Sequence, residues 1–274
     1  MTASMLATYD FGGIGPTIVY AHATGFHARC WQPIARQLPN HHNVAYDARG
    51  HGDTPVDSDA AVNWETHGAD AAAFVIDVYD NAPVLGVGHS MGGAALLMAA
   101  LAEPTLFRGL VLYEPIVMPT EMRAGIGSGP RPDNFLAAGA RKRRSSFASF
   151  EEAIANYSAK PPMNVFTSEC LSAYVYGGFA LGDDGRIHIK CRGEHEARTY
   201  EAGADHNTWD RLGELQIPVW VLSGLPEPMQ PSSRMQALAA EIPDARYIEL
   251  DQLGHFGPMQ VPDEIAEIIS SFPA

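Results

Sequence analysis

The pentapeptide Gly88-His89-Ser90-Met91-Gly92 constrains the fold of this chain more than any other stretch. It follows the apolar, β-branched run Pro83–His89 and leads at once into Met91–Ala102, which reads as an apolar helix. A strand that turns straight into a helix leaves little space around the turn, and glycines at 88 and 92 remove the side chains that would collide there. Ser90 then stands at the carboxyl end of the strand, near the positive end of the helix.

The surrounding chain alternates strands and helices. Thr17–His22 and Asn43–Asp47 read as buried strands, and Trp31–Leu38 reads as a helix. Trp64–Asp80 carries apolar residues at helical spacing (Ala71, Phe74, Val75, Val78), and Gly109–Tyr113 is another strand. This alternation predicts a mostly parallel sheet with helices on both faces. The rhythm breaks after Pro115. Residues 116–206 are richer in Gly, Pro and polar side chains, with helical pieces at Phe150–Ser158 and Glu169–Tyr176 and one short strand at Arg186–Lys190. It resumes with strands at Ile217–Ser223 and Ala245–Asp251 and helices at Ser232–Glu241 and Asp263–Phe272. The expected organisation is a core made of residues 1–115 and 207–274, with residues 116–206 inserted as a mostly helical cap. An insertion at that point lies beyond the carboxyl ends of the strands, where open α/β sheets bind ligands.

Composition narrows the function class. A net charge of −14 over 274 residues argues against a nucleic-acid partner. Three scattered cysteines, Cys30, Cys170 and Cys191, form neither a disulfide framework nor a zinc motif. The start has no basic region followed by a long apolar stretch, and the longest apolar run, Met91–Ala102, is too short for a membrane span. The expectation is a soluble, cytoplasmic protein that uses no cofactor and no metal. The spacing of His188, Cys191, Glu194, His195 and His206 matches no metal-ligand pattern. The basic run Arg141-Lys142-Arg143-Arg144 reads as a solvated helix face, with attraction of anionic substrates as the alternative.

A serine hydroxyl needs a base. Of eleven histidines, His255 in Leu253-Gly254-His255-Phe256 follows the last strand on a glycine-containing loop, and His41, His42 and His67 read as surface or structural. A tetrahedral intermediate also needs donors for its oxyanion. The Met91 N–H is one candidate; the N–H of Thr24, or of Ala23, in the loop after the first buried strand is the other.

Taken together, HATGF after the first buried strand, Asp47-Ala48-Arg49-Gly50-His51-Gly52-Asp53 after the next, GHSMGG at the turn and LGHF near the end resemble the α/β-hydrolase superfamily, in its order and over nearly the whole chain outside the insertion. Ala23 departs from the glycine that many members carry in an H-G-x-G sequence. The resemblance implies an α/β-hydrolase fold, an RGHGD loop that braces the turn, and a triad completed by an acid. Two glutamates fit that role. Glu227, in Ser223-Gly224-Leu225-Pro226-Glu227-Pro228, occupies the region where the family usually has Asp. Glu114 ends the strand Gly109–Tyr113, from which haloalkane dehalogenases and some lactone hydrolases of the superfamily take their acid. Glu114 is preferred, because the loop around Glu227 has lost the usual Asp.

The implied function is hydrolysis of a small ester or lactone, apolar or aromatic, through an acyl-enzyme on Ser90, His255 and Glu114. Alternatives on the same triad are C–C bond hydrolysis and cofactor-free perhydrolysis; a ligand receptor with little turnover is the reading from another class. Epoxide hydrolysis and dehalogenation would require Asp at position 90. Nothing in the sequence fixes the oligomeric state.

Overall fold

A computed structural model describes residues 6–78, 82–124 and 134–273. In chain order it begins with β1 (Thr8–Gly12), β2 (Thr17–Ala21), α1 (Gln32–Ala35), β3 (His42–Tyr46), α2 (Trp64–Val78), β4 (Val84–His89), α3 (Met91–Ala102) and β5 (Phe107–Tyr113). The next part contains α4 (Thr120–Ala124), α5 (Phe135–Lys142), β6 (Ser146–Phe147), α6 (Phe150–Ser158), α7 (Ser168–Gly178), β7 (Phe179–Leu181), β8 (Ile187–Ile189), α8 (Gly193–Ala202) and α9 (Thr208–Arg211). It closes with β9 (Val219–Ser223), α10 (Met235–Ala240), β10 (Ala245–Glu249), α11 (Gly257–Gln260) and α12 (Pro262–Ser270).

Seven strands form one sheet in the order β1-β3-β2-β4-β5-β9-β10. β1 runs antiparallel to β3 and every other pairing is parallel, so β4, which carries the serine turn, lies at the centre between β2 and β5. Alternation along the strands builds two cores. Val19, Val84, Leu110, Leu112 and Val221 pack with Leu96 and Leu97 of α3 and Phe74 of α2. Ile18, Tyr20, Leu85, Val87 and Val111 face the other way, onto Trp31, Ile34 of α1, and Ile265 and Ile269 of α12. Each fully buried Leu or Ile contributes roughly 1.5–3 kcal/mol, so the central strands are pinned from both faces and their carboxyl ends are fixed platforms.

Several sequence expectations change. β1 escapes the sequence pattern because it is a half-exposed edge strand held by its partner β3. The predicted helix at Trp31–Leu38 is only the four-residue α1, preceded by a 3₁₀ turn at Ala28–Trp31. The last two residues of the predicted helix Trp64–Asp80 lie outside the described residues, as does the part of the predicted insertion at 125–133. Between β5 and β9 the described residues add no strand to the large sheet. They form helices and a small antiparallel sheet, β6-β8-β7, in which β8 is the short strand expected at Arg186–Lys190 and β6 and β7 are additions to the mostly helical insertion. β6 and β7 are two and three residues long, too short to show a period of two. Among the described residues no helix is long and apolar enough to cross a membrane.

Candidate active site

Ser90 links β4 to α3 with φ 55° and ψ −118°, a conformation that non-glycine residues rarely adopt. Its position is over-determined. The Ser90 N–H donates to the Tyr113 carbonyl at 3.0 Å, and the Ser90 carbonyl accepts from Ala94 N at 3.1 Å and Ile116 N at 3.2 Å. The two glycines meet the space demand read from the sequence. A Cβ on Gly92 would stand 2.3 Å from the Ala21 carbonyl, and one on Gly88 would stand 2.7 Å from Gly93 Cα. Such strain costs about 1–3 kcal/mol and persists where the surroundings enforce it, most often at functional sites.

Glu114 is the next residue after β5 and is also strained, with φ 43°. Its N–H donates to the Leu222 carbonyl at 2.9 Å, which turns its side chain off the end of the sheet. The carboxylate is fully buried and uses both oxygens: Oε1 accepts from Gly224 N at 2.9 Å, and Oε2 lies 2.6 Å from His255 Nδ1. A carboxylate only accepts, so His255 Nδ1 carries the proton and Nε2 of the neutral ring is left as the basic nitrogen. Glu227 sits in solvent, and its backbone N–H bonds Ser232 Oγ at 3.2 Å. Of the two candidate acids, the geometry therefore brings Glu114 to His255 and leaves Glu227 apart.

The loop that carries His255 is held by residues beneath the site. His89 Nε2 donates to the His255 carbonyl at 2.7 Å, and the two imidazoles lie 4.9 Å apart. Tyr113 Oη donates to the Gly254 carbonyl at 2.7 Å. His89 is fully buried; desolvation first, and repulsion from His255 whenever that ring is protonated, hold its pKa well below the usual histidine value, so it stays a neutral donor. Sequence reasoning missed this role. His89 is the variable position of G-x-S-x-G, and only the β4–β5 neighbourhood shows that it supports the histidine loop.

Thr24 is buried next to the turn, with its Oγ1 3.4 Å from Met91 Sδ. Met91 opens α3, where the first amides of a helix have no partner within it. The two residues whose amides are proposed for the oxyanion thus touch through their side chains; the Ala23 carbonyl accepts from the Phe26 N–H at 3.1 Å and from His22 Nδ1 at 2.8 Å. The RGHGD loop acts one step away from its expected place. Ala48 N donates to His22 Nε2 at 2.9 Å, and the Asp47 carboxylate accepts from Ala28 N at 2.7 Å, Asp53 N at 2.7 Å and Tyr9 Oη at 2.9 Å. It braces the Thr24 loop after β2, and through that loop the turn.

Of the remaining candidates, His41 and His42 are half-buried, with His42 Nε2 3.3 Å from Asp10, and His67 is buried. The histidines 188, 195 and 206 bond separately, to Asp184, the Arg49 carbonyl and Thr208. Phe26, Phe166, Tyr174 and Phe256 pack together above the turn, and Trp31 belongs to the core beneath the sheet. Tyr176 is exposed, and Phe179 packs inside the inserted segment.

The alpha/beta hydrolase family model matches residues 18–268, from β2 to α12. The chain belongs to the alpha/beta hydrolase family. Among sequence relatives of this hydrolase-family chain, lipase LipV of Mycobacterium tuberculosis is 35% identical over 109 residues, covering 39% of this chain and 40% of the relative. Protein phosphatase methylesterase 1 of Mus musculus is 34% identical over 153 residues, covering 53% of this chain and 37% of the relative. The chain thus spans about two fifths of the length of these relatives. E-2-(acetamidomethylene)succinate hydrolase superposes with a TM-score of 0.81 at 18% identity, covering 97% of this chain and 94% of that one. A thermophilic esterase from Thermogutta terrifontis gives 0.69 at 20% identity, covering 97% and 91%. At these identities the structural likeness carries the fold of the hydrolase family.

Proposed function

We propose that this alpha/beta hydrolase cleaves a small carboxylic ester or lactone through an acyl-enzyme on Ser90. The observation that carries the reading is a strained serine at a strand-to-helix turn on the same sheet end as a histidine whose Nδ1 is held by a buried carboxylate. His255 Nε2 takes the proton of Ser90 Oγ as the oxygen attacks the carbonyl carbon. Glu114 fixes the tautomer and stabilises the imidazolium that forms. The N–H groups of Met91 and Thr24 receive the oxyanion. The alcohol leaves with the proton from His255; water, deprotonated in turn by His255, then releases the acid. The segment 116–206 acts as a cap over the site and selects the substrate.

The sequence identity to a lipase and to a methylesterase supports ester chemistry over C–C cleavage. A panel of p-nitrophenyl esters, lactones and amides offered to the purified protein tests the reading. Steady release of acid from at least one ester or lactone is expected, at a rate that Ser90→Ala lowers by roughly a thousandfold or more. Binding of these compounds with no turnover would instead support a receptor.

A further inference from the structure

The basic run Arg141–Arg144 does not form one solvated face. Arg141 turns outward to Glu194 at 2.8 Å and Glu201 at 2.7 Å. Arg144 pairs with Glu152 at 2.7 Å and covers the Phe147 ring. Between them, Lys142 and Arg143 line a cavity of about 440 Å³ that reaches Thr24, Gly25 and Phe256, next to the proposed oxyanion loop and to His255. Lys160 lines it as well, with Nζ 2.9 Å from Asn156 Oδ1. Arg143 is mostly buried and pairs there with Glu196, which is also buried.

Charge accounts for this arrangement poorly as scaffolding. A buried ion pair stabilises a fold weakly, since desolvation offsets most of its attraction. Lys142, among the described residues, has no ion-pair partner, although the chain carries a net charge of −14. The described lining holds three cations against the single carboxylate of Glu196, a local excess of positive charge in an acidic protein. Its other walls are apolar, including Phe26, Leu136, Met163 and Phe256. A pocket with apolar walls and an unneutralised cationic side fits a ligand with a short apolar stem and an anionic end.

We propose that this cavity selects substrates whose acyl part ends in a carboxylate, received by Lys142 and Lys160 with Arg143 deeper in the wall. The inference rests on the acyl-enzyme reading of the same site, so one arm of its test needs no turnover. The first arm compares mono-p-nitrophenyl glutarate with p-nitrophenyl valerate, which has the same number of acyl carbons and no terminal charge. At low ionic strength the monoanion is expected to have a kcat/KM about tenfold or more above the neutral ester, and the ratio is expected to fall as salt is added. In Lys142→Ala/Lys160→Ala, two exposed positions, the ratio is expected to drop to within about threefold of one. Arg36→Ala/Arg246→Ala removes the same charge outside the cavity and is expected to keep the wild-type ratio. The second arm measures, by calorimetry on Ser90→Ala, binding of monomethyl glutarate and methyl valerate with and without the two lysine substitutions. Selective binding of the monoanion that depends on the lysines sustains the anion site even if no ester is turned over, in which case the serine-hydrolase reading alone fails. Equal handling of charged and neutral compounds in both arms, or a preference that survives removal of both lysines, overturns the proposal.

Discussion

Glu114→Gln is expected to lower kcat by roughly a hundredfold or more, while Glu227→Gln stays within a few-fold of wild type. Triad members act as a unit, and replacing the acid by its amide leaves the histidine in the wrong tautomer. Glu114 Oε2 is 2.6 Å from His255 Nδ1, and an amide NH₂ placed there would donate, forcing Nδ1 to accept and moving the proton to Nε2. The base would then face the serine with its proton already on. Glu227 is exposed, so its amide changes only a solvated charge. Glu114 Oε1 also accepts from Gly224 N at 2.9 Å, and an amide oxygen can keep that bond. Glu114→Gln is therefore a better probe than Glu114→Ala, which would strand the Gly224 amide as well. Melting curves of both variants separate chemistry from folding. Equal losses in the two variants, or no loss in Glu114→Gln, would remove Glu114 from the proposed triad.

A second large effect concerns stability in acid. Burial holds His27 down to about 4, against partial support from the Tyr174 carbonyl and Asp47 and with His22 and Lys190 nearby. Burial brings His67 to about 3, beside His195, His22 and Arg49, and His206 to about 4, beside Arg123. Burial lowers His22, His51, His89 and His195 in the same direction. A histidine with a depressed native pKa binds protons in the unfolded chain that the native state refuses, so stability is full above the unfolded value near 6.5 and is lost as pH falls below it. Each such histidine costs about 1.4 kcal/mol per pH unit down to its own native value. With several buried histidines lowered in the same direction, the loss accumulates as pH falls and becomes a substantial part of the stability of a domain. The melting temperature is expected to be flat between pH 8 and about 7 and to fall progressively below about 6. A melting temperature unchanged down to pH 5 would contradict this. The acid limb of any activity profile must accordingly be read against the melting curve at the same pH.

How much of this was legible in the sequence depended on how local each cause is. The parallel sheet was legible because its central strands are buried on both faces and read as continuous apolar runs, and β4–Ser90–α3 because the turn's steric demand is written into Gly88 and Gly92. β1 was not, since an edge strand takes its conformation from its partner. The preference for Glu114 over Glu227 rested only on the missing Asp, because both follow strands of the central sheet; what separates them in space is the turn of the chain at φ 43°, which no spacing reveals. The support that His89 gives the His255 loop spans 166 residues of chain and is invisible locally. The basic run looked uniform because adjacent residues share a composition, whereas Lys142 ends a helix and Arg143 is its extended cap, which sends neighbouring side chains to different surroundings.

In the proposed mechanism Ser90 is a nucleophile activated by His255. The most direct measurement is mass spectrometry of the folded protein after treatment with a fluorophosphonate, followed by peptide mapping. One adduct is expected, on the peptide that contains Ser90, absent in Ser90→Ala and formed much more slowly in His255→Ala. An adduct on another residue, or an unlabelled Ser90 in protein shown to be folded, would contradict it.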